Sequence, residues 1–302
     1  MTEPIQIASN VAAAARDRRP IVALESTIIT HGMPWPRNAE VAHGVEAVVR
    51  NQGCEPATIA VVGGRLRIGL HAGEIDALAQ AKDAMKLSSA DLAFAVSRGL
   101  TGSTTVAATM AAAAAAPIPL PLFATGGIGG VHRGWQRTGD VSADLDALAN
   151  HDMIVVCAGP KAILDMPATL EALETRGVPV VGYGTDELPA FWSRRSGLRA
   201  PLRLDEPEAV ADFFATRQRL GQRGSVLVAA PVPAHAQIGA DEIAEHIEAA
   251  LASADGTSAK DVTPFLLSRM LEETGGRSLD ANVALIRNNA DIAARIARAV
   301  VR

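Results

Sequence analysis

Residues 153–166, MIVVCAGPKAILDM, join an unbroken apolar run to a Gly-Pro turn and a lysine. An apolar run without polar alternation is typical of a strand that is buried on both faces, as in a parallel sheet covered by helices. Six similar runs are found elsewhere in the chain, and each is short enough to be one strand. They lie at residues 21–26, 57–64, 91–97, 121–127, 178–184 and 225–231.

Helical patterns fill the intervals between these predicted strands. Apolar residues repeat at helical spacing within residues 41–49 and again within residues 243–251. The alternation predicts an α/β fold with a mostly parallel central sheet flanked by helices on both faces and a helical C-terminal third. No linker rich in Ser, Pro or charge divides the chain, so we expect a single domain over residues 1–302.

Two further predictions concern where helices begin in the C-terminal third and how the alanine-rich stretch folds. In the C-terminal third, Thr263 and Pro264 are expected to begin one helix, and Ser278 or Asp280 to cap another. The long apolar stretch from Val106 to Ala124 is nearly long enough to span a bilayer, but it is alanine-rich and contains three prolines. It predicts a buried helix, a turn and a short strand.

Composition indicates an ordinary globular protein. The net charge is −5 and no basic stripe is visible, which argues against a nucleic-acid-binding surface. The two cysteines, Cys54 and Cys157, lack metal-like spacing and are expected to be reduced thiols. The acidic, polar start of the chain is unlike a signal peptide, so we expect a cytoplasmic protein without membrane contact.

Lys161 is unusual because this chain uses arginine for almost all of its positive charge. Only four of the 28 basic residues are lysines. An ammonium can lose its proton when it is desolvated and then act as a nucleophile or base, whereas a guanidinium cannot. Lys161 is therefore a candidate catalytic residue. The alternative is a solvent-facing lysine in the first turn of a helix.

Polar residues collect where the predicted strands end. Glu25, with Ser26, Thr27 and His31, follows the apolar residues 21–24, and residues 125–134, TGGIGGVHRG, follow the apolar residues 121–124. Ligands bind at the carboxyl ends of strands in such sheets. The glycine-rich segment matches neither a dinucleotide-binding fingerprint nor a phosphate-binding P-loop, and it predicts either backbone contact with a phosphate or a tight structural turn.

Residues 140–148, DVSADLDAL, contain a further candidate site. Ser142 is suited to cap a helix that begins at Ala143, and Asp144 lies in its first turn. Capping does not explain Asp140, which suits a hard-cation site made of one carboxylate and water. Lys86 supplies a second isolated ammonium group.

Together these segments resemble the pseudouridine-5'-phosphate glycosidases, also labelled indigoidine synthase A-like. The resemblance runs from Ile21 to Ala297. It rests on eight motifs: ALESTIITHGMP (23–34), TTVAATM (104–110), ATGGIGGVHRG (124–134), DVSADLDALA (140–149), VVCAGPKAILD (155–165), GVPVVGYGTDELPAFW (177–192), TPFLL (263–267) and SLDANVALIRNNA (278–290). It implies reversible cleavage of the bond between uracil C5 and ribose C1' of pseudouridine 5'-phosphate, giving uracil and ribose 5-phosphate.

The resemblance also implies roles for individual residues. Lys161 matches the family's nucleophile, Glu25 its proton donor and Asp140 its metal-binding aspartate, usually assigned to Mn2+. The implied substrate-binding residues are Lys86, Val106, Thr125, His132, Ser142, Ala143, Asp144 and Asn282. The family further implies a homotrimer and, since the chain has no room for a sugar kinase domain, a separate pseudouridine kinase as its functional partner.

Two other classes of protein are compatible with parts of this pattern. A Schiff-base aldolase acting on a sugar phosphate would use the same lysine, carboxylate and anion site, but it would need neither a divalent cation nor a uracil site. A non-catalytic nucleotide-binding regulator would keep the glycine-rich loop and would have no use for Lys161.

Overall fold

The computed structural model describes residues 3–252, 265 and 268–301. The predicted helix start at Thr263 and Pro264 lies outside the described residues. The strands are β1 (Ile5–Ile7), β2 (Ile21–Leu24), β3 (Glu55–Val62), β4 (Arg65–Ile68), β5 (Met85–Leu87), β6 (Gly102–Thr104), β7 (Leu122–Ala124), β8 (Ile154–Cys157), β9 (Val180–Tyr183), β10 (Leu202–Leu204) and β11 (Val226–Ala229).

Helices connect most of these strands. They are α1 (Ser9–Arg16), α2 (Thr27–His31), α3 (Arg37–Asn51), α4 (Ala72–Gln80), α5 (Leu92–Ser97), α6 (Val106–Ala115), α7 (Trp135–Thr138), α8 (Ala143–Asn150), α9 (Met166–Thr175), α10 (Pro207–Arg219), α11 (Ala240–Ala252) and α12 (Arg277–Val301). Short 3-10 turns lie at Ser89–Asp91 and Ala234–Ala236.

The strands form one sheet in the order β1-β4-β3-β2-β7-β8-β11-β9-β10, with β6 pairing β3 and β5. Neighbours pair in parallel except β3 with β4 and β3 with β6, which are antiparallel. The predicted mostly parallel sheet is therefore confirmed. Because β2, β7 and β8 are parallel neighbours, the residues that follow them lie side by side at one edge of the sheet.

Both faces of the sheet are buried, which explains the apolar runs without alternation. On one face Val22 and Leu24 pack with α3, α10, α11 and α12, and on the other Ile21 and Ala23 pack with α1, α6, α8 and α9. Successive strand residues therefore enter two different cores. The helices on both faces and the helical C-terminal part confirm the predicted fold class.

Three local expectations have clear outcomes. The predicted strand at residues 91–97 is wrong, because a capping box between Ser88 and Asp91 starts a 3-10 turn that leads into α5. The helix α12 begins at Arg277, so neither Ser278 nor Asp280 precedes it, and Thr274 Oγ1 instead accepts the Ser278 amide at 3.1 Å. The alanine-rich segment is the buried helix α6, as predicted. Among the described residues, no helix is long and apolar enough to cross a membrane.

Candidate active site

A cleft opens at the carboxyl ends of β2, β7 and β8. Its position agrees with the rule that parallel sheets bind ligands where their strands end. Its wall is formed by Glu25, Thr27, Ile28, His31, Gly32, Met33, Lys86, Gly126, Gly127, Lys161, Phe191, Asn282 and Leu285. The cleft brings together four of the predicted site residues, Glu25, Lys86, Lys161 and Asn282.

Glu25 is held by two threonine hydroxyl groups. Thr27 Oγ1 donates to Glu25 Oε2 at 2.6 Å, and Thr125 Oγ1 donates to the other carboxylate oxygen. Thr125 follows β7, the parallel neighbour of β2, which explains why it lies next to Glu25. Asn289, on α12, donates to Thr125 O at 2.8 Å and fixes the end of β7. Each oxygen of the Glu25 carboxylate therefore accepts one hydroxyl hydrogen bond, which fixes the side chain at the edge of the cleft.

Lys161 lies in the turn between β8 and α9. Its amide donates to Ile128 O at 3.0 Å, and its side chain lines the cleft. The turn depends on Gly159, whose φ is +88° and where a Cβ atom would lie 2.3 Å from Pro189 O. The alternative of a solvent-facing lysine in the first turn of a helix is therefore wrong, since α9 begins only at Met166. No hydrogen bond joins Lys161 Nζ to another residue that the structure describes.

The glycine-rich loop is fixed mainly by contacts within the protein. Four of its amides donate to protein acceptors: Ile128 to Gly159 O (3.2 Å), Gly129 to Asp144 Oδ2 (2.7 Å), Val131 to Thr169 Oγ1 (3.0 Å) and His132 to Asp140 O (3.1 Å). A Cβ atom at Gly129 would lie 2.2 Å from Ser142 Oγ, so only glycine fits there. These contacts favour the structural turn over an open phosphate cradle, although Gly126 and Gly127 line the cleft.

Asp144 links the loop to two helices. Its buried carboxylate accepts the amides of Gly129 and, at 2.9 Å, Ala107 in the first turn of α6. Ser142 caps α8, as predicted, by accepting the Asp144 amide at 3.2 Å. The side chains of Val106, Ser142, Ala143 and Asp144 do not line the cleft. The structure thus gives Asp144 and Ser142 a supporting position behind the loop.

His132 and Asp140 form a pair beside the two lysines. His132 Nδ1 lies 3.7 Å from Asp140 Oδ2, and both side chains are mostly buried. Burial lowers the pKa of His132 below its ordinary value; the Asp140 carboxylate opposes this shift, and Lys161 and then Lys86 add to it. His132 is therefore expected to be neutral at pH 7, next to a region of positive potential that suits an anionic substrate.

The side chains around Asp140 could supply only one or two protein ligands to a cation. Among the described residues, no group of three or more His, Cys, Asp or Glu side chains could hold a metal ion. One partly exposed carboxylate with a neutral imidazole nearby fits a hard cation such as Mn2+ whose other ligands are water and substrate oxygens.

Three wall and support residues were not predicted from the sequence. Phe191 and Leu285 supply apolar wall, and Asn289 supports Thr125. Phe191 has a φ of +60°, which is uncommon for a residue other than glycine, and its ring packs on Gly127. Apolar side chains carry no chemical signal in a sequence, so only the motifs that contain them could have pointed to these positions.

Comparisons with known proteins give one consistent result. The family model described as indigoidine synthase A like protein matches residues 10–299. A pseudouridine-5'-phosphate glycosidase from Mesorhizobium japonicum is 58% identical over 98% of this chain and 97% of its own. Another from Methylobacterium nodulans is 59% identical over 98% of this chain and 88% of its own.

Two solved structures share the whole fold. The prealnumycin C-glycosynthase AlnA, in complex with ribulose 5-phosphate, superposes with a TM-score of 0.91 at 35% identity, covering 100% of this chain and 98% of its own. An indigoidine synthase A-like protein from Thermotoga maritima has a TM-score of 0.89 at 32% identity, covering 99% and 97%.

Proposed function

The chain belongs to the indigoidine synthase A-like family, and on this premise we propose that it reversibly cleaves pseudouridine 5'-phosphate with water to uracil and ribose 5-phosphate. The proposed enzyme is a pseudouridine-5'-phosphate glycosidase that breaks a carbon–carbon bond, a lyase-type reaction. Curated relatives of 58% and 59% identity carry that name. The related C-glycosynthase, which holds ribulose 5-phosphate, is named for C-glycosidic chemistry and contains a pentose phosphate of the same size.

One observation carries the proposal: Lys161 and Glu25 line the same cleft. They follow β8 and β2, and β7 lies between those two strands. Their approach is therefore built into the strand order of the sheet. An amine and a carboxylate on one small-molecule cleft are what covalent cleavage with proton transfer requires.

Covalent catalysis solves the chemical difficulty of a C-nucleoside. Direct loss of uracil would expel a carbanion at C5, which is a very poor leaving group. In the proposed sequence neutral Lys161 Nζ attacks C1', the C1'–O4' bond opens and O4' takes a proton. Nζ, now a secondary ammonium, then loses a proton and regains its lone pair. Uracil C5 is then protonated. As the C1'–C5 bond breaks, the lone pair on Nζ forms a C1'=N iminium, and the electron pair of the broken bond stays with the uracil ring. Water then hydrolyses the iminium, releasing ribose 5-phosphate and restoring Lys161.

Glu25 moves the protons in this sequence. Its two oxygens accept hydrogen bonds from Thr27 and Thr125, which hold the carboxyl group against the cleft. We assign it to proton transfer at O4' or at uracil C5. The threonines hold the carboxylate plane, which fixes the direction from which the proton is delivered.

The anionic substrate is held by the positive side of the cleft. Lys86 lies on β5 in register with Ser103 and lines the cleft. The positive charges of Lys161 and Lys86 both lower the pKa of His132. Lys86 is the proposed contact to the 5'-phosphate, and His132 and Thr125 are proposed substrate contacts. Val106 is proposed to bind through its main chain, with the segment Ser142, Ala143 and Asp144 alongside.

Asp140 is the proposed ligand of one Mn2+ ion per subunit, with His132 beside it. When bound, the cation supplies Lewis-acid stabilisation of substrate oxygens and ordered water. Asp140 would share the ion with water and substrate, which agrees with its partly exposed carboxylate.

The resemblance also supports a cellular setting for the proposed enzyme. We propose a cytoplasmic homotrimer that acts in pseudouridine catabolism on the product of a separate pseudouridine kinase. Sedimentation of the purified protein tests the trimer, because a monomer of 31.3 kDa and its trimer differ threefold in mass.

Product analysis tests the proposed reaction. The purified protein with Mn2+ is incubated with pseudouridine 5'-phosphate, and uracil and ribose 5-phosphate are measured by mass spectrometry. Both products should form in equal amounts, and uridine 5'-phosphate should be a poor substrate because its uracil is attached through nitrogen. Equal turnover of both nucleotides would indicate a general nucleotidase, and absence of uracil release would favour the aldolase or regulator class.

A further inference from the structure

The orientation of one side-chain amide in the cleft can be deduced from its neighbour. Asn282 lies on α12 and lines the cleft, and the buried indole of Trp192 donates from Nε1 to Asn282 Oδ1 at 2.8 Å. An indole N–H group can only donate, so the atom that it contacts must be the acceptor end of the amide. The oxygen of Asn282 is therefore directed to Trp192, and its NH2 group is the end left for the cleft.

The indole is held firmly enough to fix this orientation. Trp192 is 1% exposed, and its Nε1 also donates to Ser278 O at 3.2 Å, one helical turn before Asn282. Its backbone oxygen accepts the Ile238 amide at 2.9 Å. Its ring lies edge-on to Phe191, with the centroids 5.1 Å apart and the planes at 69°. Rotation of the Asn282 amide would leave the buried indole N–H facing a second donor, which is costly.

The surroundings of Asn282 suit a planar ring. Phe191 and Leu285 line the same cleft, and Ile28 and Met33 add further apolar surface. The charged groups Lys161 and Lys86 suit the sugar phosphate, so the apolar part of the wall is left for the base. A base that lies there meets a neutral amide that offers only donors.

On the basis of the proposed function, we propose that Trp192 is a positioning residue for base specificity: it turns the Asn282 amide so that its NH2 group donates to the C4 carbonyl oxygen of uracil. Uracil presents two carbonyl oxygens. Cytosine replaces one of them by an amino group, and two donors would then face each other in a desolvated site. The site selects a dioxo pyrimidine over an amino pyrimidine through the indole hydrogen bond.

Equilibrium binding of the two bases tests this assignment. Uracil and cytosine are titrated into the protein without ribose 5-phosphate, so that no nucleotide can form, and the ratio of their dissociation constants is measured by calorimetry. The wild-type protein should prefer uracil by roughly tenfold or more, the cost of a buried mismatched donor. Trp192→Phe should reduce that ratio to about one, because the amide is then able to rotate.

Asn282→Asp tests the donor directly and does not depend on the folding of the tryptophan variant. One carboxylate oxygen still accepts from Trp192 and the other presents an acceptor to the base, so the preference should shift towards cytosine. Trp135→Phe, at an exposed tryptophan outside the cleft, is the control for the residue change itself and should keep the wild-type ratio. General loosening of the site would weaken both bases alike and leave the ratio unchanged.

The outcomes separate this inference from the proposed function. A wild-type preference for uracil that persists in both Trp192→Phe and Asn282→Asp would overturn the inference and leave the proposed function standing. Failure of the wild-type protein to bind uracil would overturn the proposed function and this inference with it.

Discussion

Thr125→Val removes one of the two hydroxyl groups that hold Glu25. Thr125 is fully buried, and valine has nearly the same shape, so the fold should be retained. A hydrogen bond to a charged acceptor contributes about 1.5–3 kcal/mol. If the carboxylate needs this contact in the transition state, kcat should fall by roughly tenfold to a hundredfold, since each 1.36 kcal/mol is about tenfold in rate. KM should change less than kcat, because the Thr125 hydroxyl donates its hydrogen bond to Glu25.

Steady-state release of uracil from pseudouridine 5'-phosphate measures this effect. Thr109→Val is the matched control, because Thr109 is also fully buried and its hydroxyl donates at 2.9 Å to Thr104, away from the cleft. It should keep kcat within about twofold of the wild-type value while losing a buried hydrogen bond between two threonine hydroxyl groups. A folded Thr125→Val protein with wild-type kcat would refute the role given to the two threonines.

Three further predictions concern the metal, the loop and a buried thiol. Asp140→Asn should weaken Mn2+ binding in calorimetry without unfolding the protein, and full turnover after exhaustive chelation would contradict the metal site. Gly129→Ala should lower the free energy of unfolding by about 2 kcal/mol or more in urea, because its Cβ would lie 2.2 Å from Ser142 Oγ. Cys157 should resist a thiol reagent in the native protein at pH 8, because burial raises its pKa to about 12; rapid labelling would show that this core opens.

The sequence carried much of the information about the sheet and its catalytic edge. Lys161 and Glu25 were predicted to lie near each other because each follows an apolar run, and parallel strands place such residues at one edge. The strand predicted at 91–97 failed because a short apolar run fits a buried strand and a helix equally well, and only the capping pair at Ser88 and Asp91 decides between them.

The walls and supports of the cleft could not be predicted in the same way. Asn289 reaches Thr125 only because α12 packs across β7, more than 160 residues away in the chain. Phe191 lines the cleft through a left-handed backbone conformation that its residue type does not suggest. The direction of the Asn282 amide depends on an indole in another segment. Each of these features arises from tertiary contacts, for which neither local propensity nor periodicity gives a signal.

Trapping of the covalent intermediate tests the central claim most directly. Borohydride added during turnover of pseudouridine 5'-phosphate should reduce the iminium, leaving a stable pentose phosphate on the peptide that contains Lys161. Lys161→Arg keeps the charge but supplies no neutral amine, so it should yield no adduct and lose cleavage by several orders of magnitude. Substantial cleavage by Lys161→Arg, with no adduct on the wild-type lysine, would contradict the covalent mechanism.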